Sequence, residues 1–66
     1  MTKEQIQAYI EAKEKEKRTH LLVGQYIEKL NAEVGLSEST MKDVMAKISS
    51  KINQCDRSIR DHSRLL

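Results

Sequence analysis

The chain has 66 residues, a third of them charged, a net charge of +2, no proline, phenylalanine or tryptophan, and a single cysteine, Cys55. That length allows one small domain, a lone cysteine excludes an internal disulfide framework, and no apolar run approaches the roughly 18–20 residues that span a bilayer. The small net charge settles nothing about nucleic acid by itself, but it is unevenly spread: residues 41–66 hold six basic and three acidic side chains, residues 1–36 six of each.

The start, MTKEQIQAY, lacks the basic-then-apolar layout of a signal peptide, so the expected location is cytoplasmic. The composition favours helix throughout. The first predicted element is a long helix over about residues 2–34. Its expected seam is Ile6, Tyr9, Lys13, Glu16, His20, Val23, Ile27, Leu30 and Val34, regular in spacing but polar in the middle. There the stretch KEKEKR, residues 13–18, interrupts the apolar stripe. Pairs such as Glu11–Lys15 and Glu14–Arg18 have favourable i, i+4 spacing, each contributing about 0.2–0.5 kcal/mol. Lys13 is able to lay its methylenes along a seam while its ammonium stays wet. Glu16 is expected to reach Arg57 or Arg60.

Punctuation falls only at EVGLSEST, residues 33–40, which predicts a turn over 35–39. Gly35 suits the left-handed position past a helix end, and Ser37, Ser39 and Thr40 are candidate N-caps, Thr40 with a capping-box spacing to Asp43. Helix 2 then runs over about residues 40–65. Its seam is the clearest signal in the chain: Met41, Met45, Ile48, Ile52, Cys55, Ile59, His62 and Leu66 alternate spacings of four and three.

A short turn makes the two helices antiparallel neighbours. The predicted fold is therefore all-α, a single antiparallel two-helix hairpin of the coiled-coil kind over 1–66. Folded about residues 37–38, it pairs Val34 with Met41, Leu30 with Met45, Ile27 with Ile48 and Val23 with Ile52 as the structural core. His20 then meets Cys55, Glu16 meets Ile59, Lys13 meets His62, and Tyr9 and Ile6 reach Leu65 and Leu66. The hairpin should be dry near the turn, polar at the waist and weakly apolar at the open end.

A hairpin buries one face of each helix, and Leu21, Leu22, Tyr26 and Leu30 are the candidate outer contact surface. Gly24 in the same region permits close approach. Burial of that surface calls for a helical bundle, completed by a second copy or by a protein partner.

Two helices offer no pocket, and no phosphate loop, HExxH, CxxC or nucleophile-elbow pattern occurs, so the expectation is a chain with no catalytic residues, no small-molecule substrate and no cofactor. His20, Cys55 and His62 share the seam and are plausible zinc ligands by type, but their spacing matches no zinc motif, and no metal is expected. Arg57, Arg60 and Arg64, with Lys47 and Lys51 earlier in helix 2, form a basic stripe suited to phosphates, interleaved with Asp56 and Asp61. No stretch has the bulky apolar face of a membrane-surface helix.

In length and layout the chain resembles two groups of short helical hairpins. Rop-type plasmid regulators pair into four-helix bundles and bind RNA, and the small E-type cochaperones of type III secretion hold a needle subunit's chaperone. The resemblance carries no diagnostic motif and assigns no residue a role. The expected function is that of a non-enzymatic protein–protein interaction module, a small regulator, adaptor or chaperone-like protein. The alternative is a small dimeric RNA- or DNA-binding regulator using the basic stripe.

Overall fold

Thr2 opens the first helix. Its hydroxyl accepts the Gln5 N–H at 3.1 Å while the Gln5 side chain accepts the Thr2 N–H at 2.9 Å, a reciprocal capping box. The structure, a computed structural model, describes residues 1–66. Helix α1 runs over Lys3–Val34 and helix α2 over Glu38–Ser63, packed side by side with no strand. The predicted hairpin is the observed one.

Gly35 ends α1 at φ 72°, ψ 61°, and its N–H donates to the Asn31 carbonyl at 2.8 Å. The turn is shorter than expected. Ser37, not Thr40, caps α2: its hydroxyl accepts the Thr40 N–H, so Thr40 already lies inside the first turn. Glu38 in that first turn and Arg60 and His62 in the last suit the helix dipole.

The earlier turn moves the register. Tyr9 stacks on His62 rather than reaching Leu65 and Leu66, and Gly24 faces Ile48 and Met45 where Val23 was expected to face Ile52. These partners are displaced by about one helical turn from the predicted pairing, because the chain folds about Leu36 and not about residues 37–38.

The α2 seam is as read: Met41, Met45, Ile48, Ile52, Ile59 and His62 are half-buried and Cys55 is buried, while Leu66 is exposed at the frayed end. Val44, which is not one of those seam positions, is half-buried as well. The α1 seam differs by one position at every second step. It passes through Ile6, Ile10, Lys13, Lys17, His20, Gly24 and Ile27, with Tyr9 beside it. Val23 and Val34 do not belong to the core; they are 45% and 65% exposed. Gly24 takes the inner position in place of Val23, facing Ile48 and Met45 with room for about one methyl.

Burial is also distributed in reverse. Ile6, Ile10 and Cys55 are the buried apolar residues, at the open end and waist, whereas the half near the turn is only partly covered. The molecule is 48 Å long and 11 Å thin. Its radius of gyration is 15.2 Å, against about 11 Å for a compact chain of this length. It is a single layer of two helices.

The two glycines should respond oppositely to alanine. Gly35→Ala forces an L side chain into a left-handed conformation and should destabilise the hairpin by about 1–2 kcal/mol. At Gly24 an added Cβ would meet Ile48 Cγ2 at 3.7 Å, ordinary contact, so Gly24→Ala should stabilise by roughly 0.5–1 kcal/mol through helix propensity. Urea midpoints of the two variants check both signs.

Candidate functional site

At the waist, where an apolar seam would be continuous, α1 supplies Lys13, Glu16, Lys17 and His20. Lys13 and Glu16 lie one turn apart, and the Lys13 ammonium donates to Glu16 Oε2 at 3.1 Å. The same ammonium sits 5.6 Å from the centre of the Tyr9 ring. Tyr9, the ring under that ammonium, is the residue stacked on His62. Lys17 crosses to α2 and pairs with Asp56 Oδ1 at 2.6 Å. Glu16 reaches neither Arg57 nor Arg60, and the Glu11–Lys15 and Glu14–Arg18 pairs do not form. Lys17 takes the position between the helices and Glu16 turns back along α1.

The other oxygen of Glu16, Oε1, lies 3.7 Å from His20 Nε2. Cys55 enters from α2 between the levels of these two residues. One donor atom from each of Glu16, His20 and Cys55 lies within 4.8 Å of the other two. His20 Nε2 is buried without a hydrogen-bond partner, and Cys55 is 3% exposed. His62 stands apart. Its ring stacks on Tyr9 at 4.0 Å between centroids, and its Nδ1 lies 2.8 Å from the Ser58 carbonyl, to which it donates when that nitrogen carries the proton. Of the three candidate ligands, the fold brings His20 and Cys55 together, adds Glu16 and leaves His62 out. Sequence reading placed Glu16 opposite Ile59; its i, i+4 spacing to His20 was the available signal.

Nearer the turn, a groove of about 400 Å³ lies beside Gly24. Leu21, Met45, Ile48 and Ile52 form its apolar part, and Gln25, Glu28 and Ser49 its polar part. The depression is open on one side. Two packed helices were expected to leave none; this one lies between α1 and α2 where the half near the turn is only partly covered.

The four residues proposed for partner contact do not form one patch. Leu22, Tyr26 and Leu30 follow at i, i+4 and lie along one line of α1, with Val23 beside them. Leu22 and Tyr26 are 65% and 64% exposed, and Leu30 is half-buried where the line meets the seam. Leu21 lies on the other flank, about 140° around the helix from Tyr26, and belongs to the groove.

On α2, Arg57, Arg60 and Arg64 share the face turned away from α1, and none forms an ion pair. Asp56, which interleaves with them in sequence, is taken by Lys17. Lys47 lies about 80–140° and Lys51 about 120–180° around the helix from the arginines, so the five cations spread over more than one face.

No helix is long and apolar enough to cross a membrane. No protein-family model, no curated protein and no solved structure matches this chain.

The hydrogen bond and charge of Lys13 hold the Glu16 carboxyl below the usual carboxylate range, and Glu16 in turn raises Lys13 above the usual lysine value. A lowered acid contributes stability above its unfolded value and loses it as pH falls through its folded value. A raised base contributes below its unfolded value and loses it as pH rises through the folded one. The stability advantage of the native chain over Glu16→Gln should therefore be a plateau at neutral pH. It should shrink below about pH 4.3 and again above about pH 10.4, as measured by urea unfolding across pH.

Proposed function

We propose that this hairpin is a non-enzymatic protein–protein interaction module, which docks a helix of a partner along the line Leu22, Tyr26 and Leu30. The observation that carries this reading is the outward placement of Leu22 and Tyr26 on a chain with so little buried of its own. Apolar side chains at i, i+4, i+8 are the anchors by which one helix reads another. Val23 extends the band toward the seam, and the charged positions of KEKEKR fix register at its end. The module works as a small regulator, adaptor or chaperone-like protein by covering apolar surface on its partner, or on a second copy of itself.

A second reading has its own support. Arg57, Arg60 and Arg64 point outward with no carboxylate partner, and unpaired guanidinium groups on one helix face suit phosphates. In that reading the chain is a dimeric RNA- or DNA-binding regulator, its apolar band used for the dimer.

Two variants separate the readings. Leu22→Asp should weaken the complex, with the partner recovered by cross-linking or with a second copy, by about 2 kcal/mol or more, roughly 30-fold in affinity. Charge reversal at both Arg57 and Arg60 should change that affinity less than about threefold, a difference under roughly 0.7 kcal/mol. Circular dichroism of each variant reports whether the hairpin persists. Steeply salt-dependent binding to generic RNA or DNA, lost on charge reversal and kept in Leu22→Asp, decides for the second reading.

A further inference from the structure

The waist contains three donor atoms of different chemistry with no common partner. Glu16 and His20 are one turn apart on α1, and Cys55 faces them from α2. The separation of 3.7 Å between Glu16 Oε1 and His20 Nε2 is close to the edge of a coordination tetrahedron. Bonds of about 2.0–2.1 Å to nitrogen, 2.0–2.2 Å to oxygen and 2.3 Å to sulfur place such donors roughly 3.3–3.8 Å apart. All three donor atoms already lie within 4.8 Å, so side-chain rotation of about an ångström closes the set.

We propose that Glu16, His20 and Cys55 form a three-ligand site for a divalent cation of the zinc class, which cross-links the two helices at the polar waist. The buried His20 Nε2 is the second observation behind it. A buried nitrogen with neither donor nor acceptor partner is costly, and a metal bond removes that cost. Thiolate and imidazole together select zinc and similar ions over magnesium or calcium, and the carboxylate completes a mixed set of the kind zinc accepts.

The neighbouring lysines are compatible with the cation. Lys13 holds Oε2 of Glu16 and leaves Oε1 turned to His20, while Lys17 is paired with Asp56. The fourth position opens toward solvent on the side of the exposed Glu16 and takes a water. On binding, the Cys55 S–H bond breaks, a sulfur–metal bond forms, and one proton passes to solvent. For a two-helix chain without disulfides, such a cross-link is one of the few internal staples available. The site shares no residue with the docking line Leu22, Tyr26 and Leu30.

The test uses the whole chain, reduced with a non-thiol reductant, stripped with chelator and titrated with cobalt(II) as the spectroscopic stand-in for zinc. The expected result is a thiolate-to-cobalt charge-transfer band that saturates at one equivalent, disappears on adding zinc, and accompanies a rise in melting temperature with zinc. His20→Asn and Glu16→Gln should each weaken binding tenfold or more, and His62→Asn should leave it within about twofold. Glu16 is exposed, so its variant keeps the fold and the comparison stands even if His20→Asn unfolds. Absence of the band at one equivalent overturns the site. So does a band whose affinity is unchanged in Glu16→Gln, or equally weakened in His62→Asn.

Discussion

Everything in this molecule follows from packing a single pair of helices. One layer lets each helix bury one face, and the chain has no second layer to turn its other faces toward. Ile6, Ile10, Cys55 and Gly24 are the only residues that become buried. Burying an aliphatic side chain contributes about 1.5–3 kcal/mol, while ordering the backbone costs about 1–2 kcal/mol for each residue. A few buried side chains do not offset the ordering of two helices. The remaining stability of the hairpin comes from half-buried seam residues, while Leu22 and Tyr26 stay exposed.

The waist shows how the seam continues where apolar residues do not. Lys13 and Lys17 lie along it with partly covered stems and paired ammonium groups, Lys13 to Glu16 and Lys17 to Asp56. Below the lysines, Ile6 and Ile10 close the open end and Tyr9 stacks on His62. Above them Gly24 is buried facing Ile48 and Met45. The charged run is therefore part of the packing, and the Glu16, His20 and Cys55 cluster sits where the two apolar segments meet.

Helix number, the αL glycine and the α2 seam were legible because each leaves a local mark. Gly35 stands alone between two long helical patterns, and the α2 heptad has an apolar or near-apolar residue at each step. The α1 seam was misread by one position at every second step for the opposite reason. Val23 carries an apolar signature and Gly24 none, yet it is Gly24 that lies on the inner face and Val23 that is exposed. Lys17 was invisible as a seam residue because hydrophobic periodicity does not register a side chain that buries its stem and exposes its charge. Register depended on which of Ser37, Ser39 and Thr40 begins α2. That choice shifts the other cross-helix pairs, so the Tyr9–His62 stack and the Lys17–Asp56 pair were out of reach. The metal candidate was half legible: His20 and Cys55 were paired correctly, and His62 stood where Glu16 belongs.

The central claim is that the hairpin is incomplete by itself. Sedimentation equilibrium on the chelator-treated chain over a hundredfold dilution, with helicity followed in parallel, tests it directly. The expected result is that helicity and the urea midpoint fall together on dilution, as association is lost. A fully helical monomer with a cooperative unfolding curve independent of concentration would contradict it.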